Sequence, residues 1–129
     1  MKKIALLSLI LLMGMYTFAE SPVIKFEQTT YDFGKIKETD GKATYIFKFK
    51  NTGDAPLVIS RVNASCGCTT PEWTKEPIAV GKSGSVTVTY NPQNRPGPFQ
   101  KSITVFSNIE GGTSSLIIKG EVIPRPAVN

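Results

Sequence analysis

Apolar and polar residues alternate with a period of two along most of the chain, and no segment shows a convincing helical period. In KATYIFKFKN, for example, Tyr45, Phe47 and Phe49 fall on one face, while Lys48 and Lys50 fall on the other. Six further strand-like segments are VIKFE, YDFGKI, LVISRV, SVTVTY, FQKSITVFSN and SSLIIKGEVIP, separated by turn signals such as NTGDAP and NPQNRPGP. This pattern predicts an all-β protein of about seven short strands in an antiparallel β-sandwich.

The two cysteines limit which kind of sandwich this can be. Cys66 and Cys68 are separated only by Gly67, and there is no other cysteine in the chain. Antibody domains use a disulfide between strands far apart in sequence to join the two sheets. Residues two positions apart cannot do this, so we expect an Ig-like sandwich without the core inter-sheet disulfide.

The first nineteen residues have the layout of a secretory signal peptide. Lys2 and Lys3 precede an apolar run over 4–18, and Thr17 and Ala19 are the small residues of a cleavage site before Glu20. The run is shorter than the roughly 17–25 residues of a membrane-spanning helix, although an uncleaved anchor is the alternative. No cysteine follows the run, so a lipoprotein is not expected. We predict a signal peptide over 1–19, one domain over 20–129, and a secreted protein of the periplasm or cell surface.

The composition excludes several kinds of catalytic and metal site. Residues 20–129 contain no histidine and no methionine, because the chain has no His and its three Met all lie in the first fifteen residues. Catalytic Ser–His–Asp or Cys–His pairs and His-containing zinc sites therefore cannot form within one mature chain. Removal of Lys2 and Lys3 lowers the formal charge from +5 to +3. The basic residues are scattered along the sequence, so we do not expect nucleic-acid binding.

The middle of the chain resembles a known family. FKNTGDAPLVISRVNASCGCTTPEW followed by PIAVGKSGSVTVTYNP is similar to the family named domain of unknown function 1573, secreted bacterial proteins with a Cys-Gly-Cys-Thr signature. The similarity is close over 33–90 and looser over FQKSITVFSN, and Val80 stands where the family commonly has proline. The resemblance implies an Ig-like domain, similar in outline to Hydin-like and major-sperm-protein-like binding modules. It leaves the biochemical role open.

The Cys-Gly-Cys segment has four possible roles. A disulfide between Cys66 and Cys68 is favoured in an oxidising compartment, and Gly67 suits the kink that closure requires. Such a bond should be strained and easily reduced. The alternatives are buried thiols, a redox couple, and a Cu(I) site. Against a redox couple, only Arg61 or Lys75 could lower a thiol pKa by charge.

Trp73 follows the cysteine segment and has two readings. We expect it to fill the sandwich beneath the cysteine loop, with a ligand-stacking platform as the alternative.

The sequence as a whole predicts a non-catalytic binding or structural module of the bacterial envelope. We expect its partner to be another envelope protein, added at an open sheet edge, with no catalytic residues, metal or other cofactor. A thiol–disulfide exchange protein using the cysteine pair is the alternative, and a Cu(I)-binding protein is a weaker one. The sequence does not indicate an oligomeric state.

Overall fold

The computed structural model describes residues 20–127, so the predicted signal peptide lies outside the described residues. Within 20–127 the chain forms eight strands and one short 3-10 helix over Glu38–Asp40. The strands are β1 (Ile24–Phe26), β2 (Thr30–Lys37), β3 (Ala43–Asn51), β4 (Ile59–Ala64), β5 (Thr69–Trp73), β6 (Ser83–Tyr90), β7 (Gly97–Ser107) and β8 (Thr113–Ile123). Over this range, no helix has both the length and the apolar character needed to cross a lipid bilayer.

The strands form two four-stranded sheets, with the order β1-β3-β6-β5 in one and β2-β8-β7-β4 in the other. The first sheet is called sheet A below and the second sheet B. All pairs are antiparallel except β2 with β8, which run parallel. The predicted Ig-like sandwich is confirmed, and the cysteines lie next to each other instead of joining the sheets. The seven predicted segments correspond to seven strands, and β5 is the one that the pattern did not indicate.

The inward faces of the two sheets bury the alternating apolar residues that define the pattern. Sheet A contributes Phe47, Phe49, Val86, Val88 and Tyr90, and sheet B contributes Ile103, Val105, Leu116, Ile118 and Val122. Tyr90 stacks on Phe99 across the core, with ring centroids 4.0 Å apart. Since successive strand residues point to opposite faces, this packing fixes which residues remain on the outer faces.

The chain crosses between the sheets along both long edges of the sandwich. Residues 27–29 connect β1, an edge of sheet A, to β2, an edge of sheet B. On the opposite side, residues 65–68 connect β4 of sheet B to β5 of sheet A. The four edge strands are therefore joined in two pairs, and the second junction contains both cysteines.

Asn51 organises the turn that follows β3. Its side chain is fully buried and donates from Nδ2 to Ala55 O (2.8 Å) and Ile78 O (3.0 Å). Oδ1 accepts from the N–H groups of Gly53 (3.0 Å) and Val23 (3.3 Å). A buried amide with all its groups paired stabilises one backbone arrangement. The NTG motif is thus a structural feature of the turn at the end of the sandwich away from the cysteines.

Candidate functional site

The cysteine segment is the turn by which the chain leaves sheet B and enters sheet A. The Cα atoms of Cys66 and Cys68 are 5.3 Å apart, within the range usual for bridged cysteines, and the two sulfur atoms lie side by side. Cys68 is buried and Cys66 is half-buried against the core. The predicted disulfide is therefore geometrically accessible, and its formation in the protein stays a prediction.

Hydrogen bonds hold this turn on both sides. The N–H of Thr69 donates to Cys66 O (3.2 Å), which closes the turn, and the N–H of Asn91 donates to Cys68 O (2.8 Å). The N–H of Ser65 donates to Ser102 O on β7 (3.0 Å). The turn does bend at Gly67, but this glycine has no positive φ, and an added Cβ would meet no atom within 4 Å. Contrary to the expectation, this turn does not require the conformational freedom of glycine at position 67.

The two cations that could activate the thiols face aromatic rings. The guanidinium of Arg61 lies over Phe106 on the outer face of sheet B, 4.1 Å from the ring centroid. The ammonium of Lys75 lies over Trp73 at 4.8 Å. Both contacts are cation–π interactions, so each of these cationic side chains contacts a neighbouring aromatic ring. Among the described residues, no group of three or more Cys, Asp or Glu side chains lies close enough to hold a metal ion.

Trp73 does not lie beneath the cysteine loop. It is half-buried and packs against the core, but it occupies the last position of β5, whereas Cys68 immediately precedes the first. Five residues of strand separate the two by about 16 Å. Trp73 packs against the core as expected, but it does not lie next to the cysteines, because the pattern of TTPEW does not predict β5; a binding role for Trp73 stays a prediction.

The edge of β4 presents backbone hydrogen-bonding groups that have no partner strand in the described sandwich. Ser65 pairs with Ser102, and antiparallel ladders direct alternate residues to alternate sides. The backbone N–H and C=O groups of Asn63 therefore point to β7, while those of Val62 and Ala64 point away from it. Because β4 is the last strand of its sheet, these outward groups have no neighbouring strand. The β4 bulge lies before Arg61, so the segment from Arg61 to Ala64 is regular.

Each of the other three edges carries a feature that opposes strand addition. Strand β1 is only three residues long. Strand β2 is interrupted by a bulge at Gly34, which has φ +67°. In β5, the N–H of Thr74 donates to Ser85 O, so Pro71 lies at a position that faces the open side and lacks an N–H there. The contrast makes the β4 edge the candidate site.

A second surface feature lies on the outer face of sheet A. One groove of about 760 Å³ on this face is lined by three lysines from two neighbouring strands, namely Lys25 of β1 and Lys48 and Lys50 of β3. The same groove contains one carboxylate, that of Glu27. Strand pairing thus gathers on one face three lysines that are separated in the sequence, and the expected absence of nucleic-acid binding stays a prediction.

Comparisons with known proteins define the fold class. A family model described as protein of unknown function (DUF1573) matches residues 24–122, which confirms the resemblance predicted from the sequence. No curated protein matches the chain.

Several solved structures share the fold. A protein of unknown function from Porphyromonas gingivalis W83 aligns with TM-score 0.70 and 18% identity over 84% of this chain and 51% of that one. PapD-like domain 7 (ASH / PapD-like) of human CEP192 aligns with TM-score 0.66 and 9% identity, over 89% and 95%. The E. coli chaperone DraB aligns with TM-score 0.55 and 15% identity, over 86% and 59%. The chain spans about half of the first structure, and 31% of a further match, the Vibrio cholerae VesB protease. At these identities the similarity establishes the fold alone.

Proposed function

The chain belongs to the family described as protein of unknown function (DUF1573), and from its geometry we propose that it is a non-catalytic binding module whose β4 edge accepts a strand from a partner protein. Strand addition supplies affinity through backbone hydrogen bonds and specificity through the side chains that alternate along the added strand. The observation that carries the proposal is the pair of outward-facing backbone positions at Val62 and Ala64, on the regular stretch of the edge strand β4 that follows its bulge.

The surroundings of this edge support the same function. The side chains of Val62 and Ala64 point inward, and that of Val62 is buried, so the edge is anchored to the core. Asn63 projects outward between them and is exposed. At the end of β4 the cysteine turn carries the chain into the other sheet and limits how far a bound strand can extend. We infer that the turn containing the cysteines positions the edge through its backbone hydrogen bonds, and that the cysteine pair does not carry out chemistry.

A redox protein is the alternative, and the lack, among the described residues, of a group that would lower the pKa of a thiol argues against it. A reactive thiol usually needs a nearby cation, a helix N-terminus or a histidine to lower its pKa. The chain has no histidine, and the two candidate cations, Arg61 and Lys75, lie on aromatic rings.

We propose that the module works in the bacterial envelope, on the strength of the signal-peptide pattern over 1–19. Cleavage before Glu20 would leave a secreted domain that meets its partner in the periplasm or at the cell surface.

A site-specific crosslinking experiment tests the proposed edge. The full-length chain is expressed in bacteria with a photo-crosslinking amino acid in place of Asn63, which projects from β4. A second chain carries the crosslinker in place of Ser115, an exposed residue of the interior strand β8. We expect Asn63 to yield a covalent adduct with a discrete polypeptide and Ser115 to yield none.

Two variants of Ala64 distinguish strand addition from other modes of binding. Ala64→Pro removes the outward N–H without breaking a bond to β7, so it should abolish the adduct. Ala64→Ser keeps the N–H and should retain the adduct, and thermal melts of both variants show whether each is folded. An adduct that persists in folded Ala64→Pro, or that forms equally from Ser115, would contradict the proposal. The absence of any polypeptide adduct at Asn63 would do so as well.

A further inference from the structure

The outer face of sheet A places two lysines, Lys25 and Lys50, directly opposite each other, beside the oppositely charged residues Glu27 and Lys48. Glu27 N–H donates to Lys48 O (2.9 Å), so Glu27 and Lys48 form a hydrogen-bonded pair. Alternation then makes Lys25 and Lys50 the next such pair. Their side chains point to the same exposed face with Cα atoms about 5.5 Å apart. Like charges directly opposite each other on a sheet are destabilising.

Edge protection does not account for Lys48 and Lys50. Lysines on edge strands commonly prevent unwanted pairing, and on the sequence alone that is the simplest role for Lys48 and Lys50. In the structure β3 is an interior strand, bonded to β1 on one side and β6 on the other. Lys48 and Lys50 therefore protect no edge, whereas Lys25 lies on the edge strand β1, and a binding role is the simpler explanation for the two lysines of β3.

The groove around the lysines has the composition of a site for an anionic chain. Besides the three lysines and the single carboxylate of Glu27, it is lined by the hydroxyl-bearing residues Thr52, Thr74, Ser83 and Ser85. Ile46 adds an apolar contact, with 46% of its surface exposed. Lysine ammonium groups and hydroxyls together can pair with and hydrogen-bond to carboxylates.

We propose that this face binds an extended acidic segment of a polypeptide. Lys48 and Lys50 are two residues apart on one strand, so their side chains leave the sheet about 6.7 Å apart. An extended peptide with acidic residues at alternate positions repeats its carboxylates at that same spacing. Lys25, beside Lys50, supplies a third charge across the strands, so the peptide lies along β3 over the face of the sheet.

The chemistry of the face favours a peptide over other anions. Proteins that bind single-stranded nucleic acid stack the bases on aromatic rings, and the only aromatic residue lining the groove, Phe49, is buried. Arginine, the residue best suited to bidentate phosphate binding, is absent from the lining. The inference is independent of the β4 edge, because that edge belongs to the other sheet.

Peptide titrations test the proposal directly. The probes are two synthetic peptides of identical composition, acetyl-TETETET-amide and acetyl-TTEEETT-amide, titrated into 15N-labelled protein at low salt and followed by NMR. We expect the alternating peptide to bind several-fold more tightly than the clustered one. Shifted amides should map to β1, β3 and β6.

Charge-matched variants separate this site from general attraction to a basic protein. K25Q/K48Q/K50Q should weaken binding about tenfold or more, since three exposed ion pairs are lost. K35Q/K37Q/K119Q removes three exposed lysines from sheet B and changes net charge equally, and it should leave the affinity within about twofold. Dextran sulfate and inorganic phosphate are titrated alongside.

Three results would overturn the proposal. Equal affinity for the two peptides, or equal effects of the two triple variants, would show non-specific electrostatic attraction. Binding of dextran sulfate or phosphate through the same lysines, without binding of the alternating peptide, would assign the face to a non-peptide anion. Unchanged spectra at the highest peptide concentration would show that the face is not a peptide site.

Discussion

Glu38 shows how one side chain connects separate segments at the cysteine end of the sandwich. One carboxylate oxygen accepts the N–H of Asn94 in the β6–β7 loop (2.9 Å), and the other accepts the N–H of Arg125 after β8 (3.0 Å). These two backbone hydrogen bonds, followed by the charge of Arg125, lower the pKa of Glu38. The carboxylate therefore stabilises the fold in its charged form.

This pKa shift predicts an acid-sensitive contribution to stability. Because the folded pKa is depressed, the contribution is fully present above the usual glutamate pKa of about 4.3 and is lost as pH falls through the folded value. Glu38→Gln keeps only one accepting oxygen for two N–H groups, so it should be less stable than the wild type at neutral pH. The difference should shrink as the solution is acidified.

Chemical unfolding of the wild type and Glu38→Gln between pH 7 and pH 3 measures this effect, and Glu72→Gln, on the exposed face of β5, is the control. A difference between wild type and Glu38→Gln that stays constant with pH would contradict the role assigned to the charged carboxylate.

At the scale of elements, the cysteine turn decides where β4 ends and where β5 begins. The hydrogen bonds of Ser65, Thr69 and Asn91 hold it independently of any bond between the sulfur atoms. A disulfide here closes a very short loop, so it adds little to stability through the unfolded chain. The turn should therefore keep its shape when the cysteines are reduced or replaced.

The prediction is that Cys66 and Cys68 form a disulfide in the secreted protein and that its loss is tolerated. Thiol labelling of freshly isolated protein should find both residues blocked, and labelling after treatment with a mild reductant should find both free. The variant C66S/C68S should lose no more than about 1–2 kcal/mol of unfolding free energy and should still form the Asn63 adduct.

Two free thiols in the native protein would refute the bond. Loss of the Asn63 adduct in a folded C66S/C68S variant would instead favour the thiol–disulfide exchange function.

Strand β5 marks the limit of prediction from the sequence at this scale. The segment TTPEW contains a proline and follows a turn, which are both signals against a strand. Pro71 is accommodated because its missing N–H falls on the open side of an edge strand, where no partner is lost. Whether a strand lies at the edge or in the interior of a sheet depends on contacts between segments that are distant in the sequence. The local pattern of residues does not contain that information.

At the scale of the whole molecule, the alternation of apolar residues was enough to predict the sandwich, since one face of every strand must be buried. The pairing order of the strands was not predictable in the same way. It determines that β4 is an open edge, that β3 is interior, and that Lys25 lies beside Lys50. The two surfaces proposed for binding therefore come from topology, whereas the cysteine motif that dominates the sequence belongs to a turn.

A further prediction concerns removal of the predicted signal peptide during secretion. Intact-mass measurement of protein isolated from the envelope should give a chain that begins at Glu20, because Thr17 and Ala19 provide the small residues that signal peptidase requires. A mass that retains residues 1–19, or that includes a lipid, would contradict the predicted secretion route.

The most direct test of the binding module is amide hydrogen exchange of the isolated protein, alone and saturated with the polypeptide identified through the Asn63 crosslink. An added strand would pair with the outward N–H groups of β4. We predict that the amides of Val62 and Ala64 become strongly protected in the complex, while the outward amide of Trp73 on β5 exchanges as before. Unchanged exchange at Val62 and Ala64 in a saturated complex would contradict strand addition at this edge.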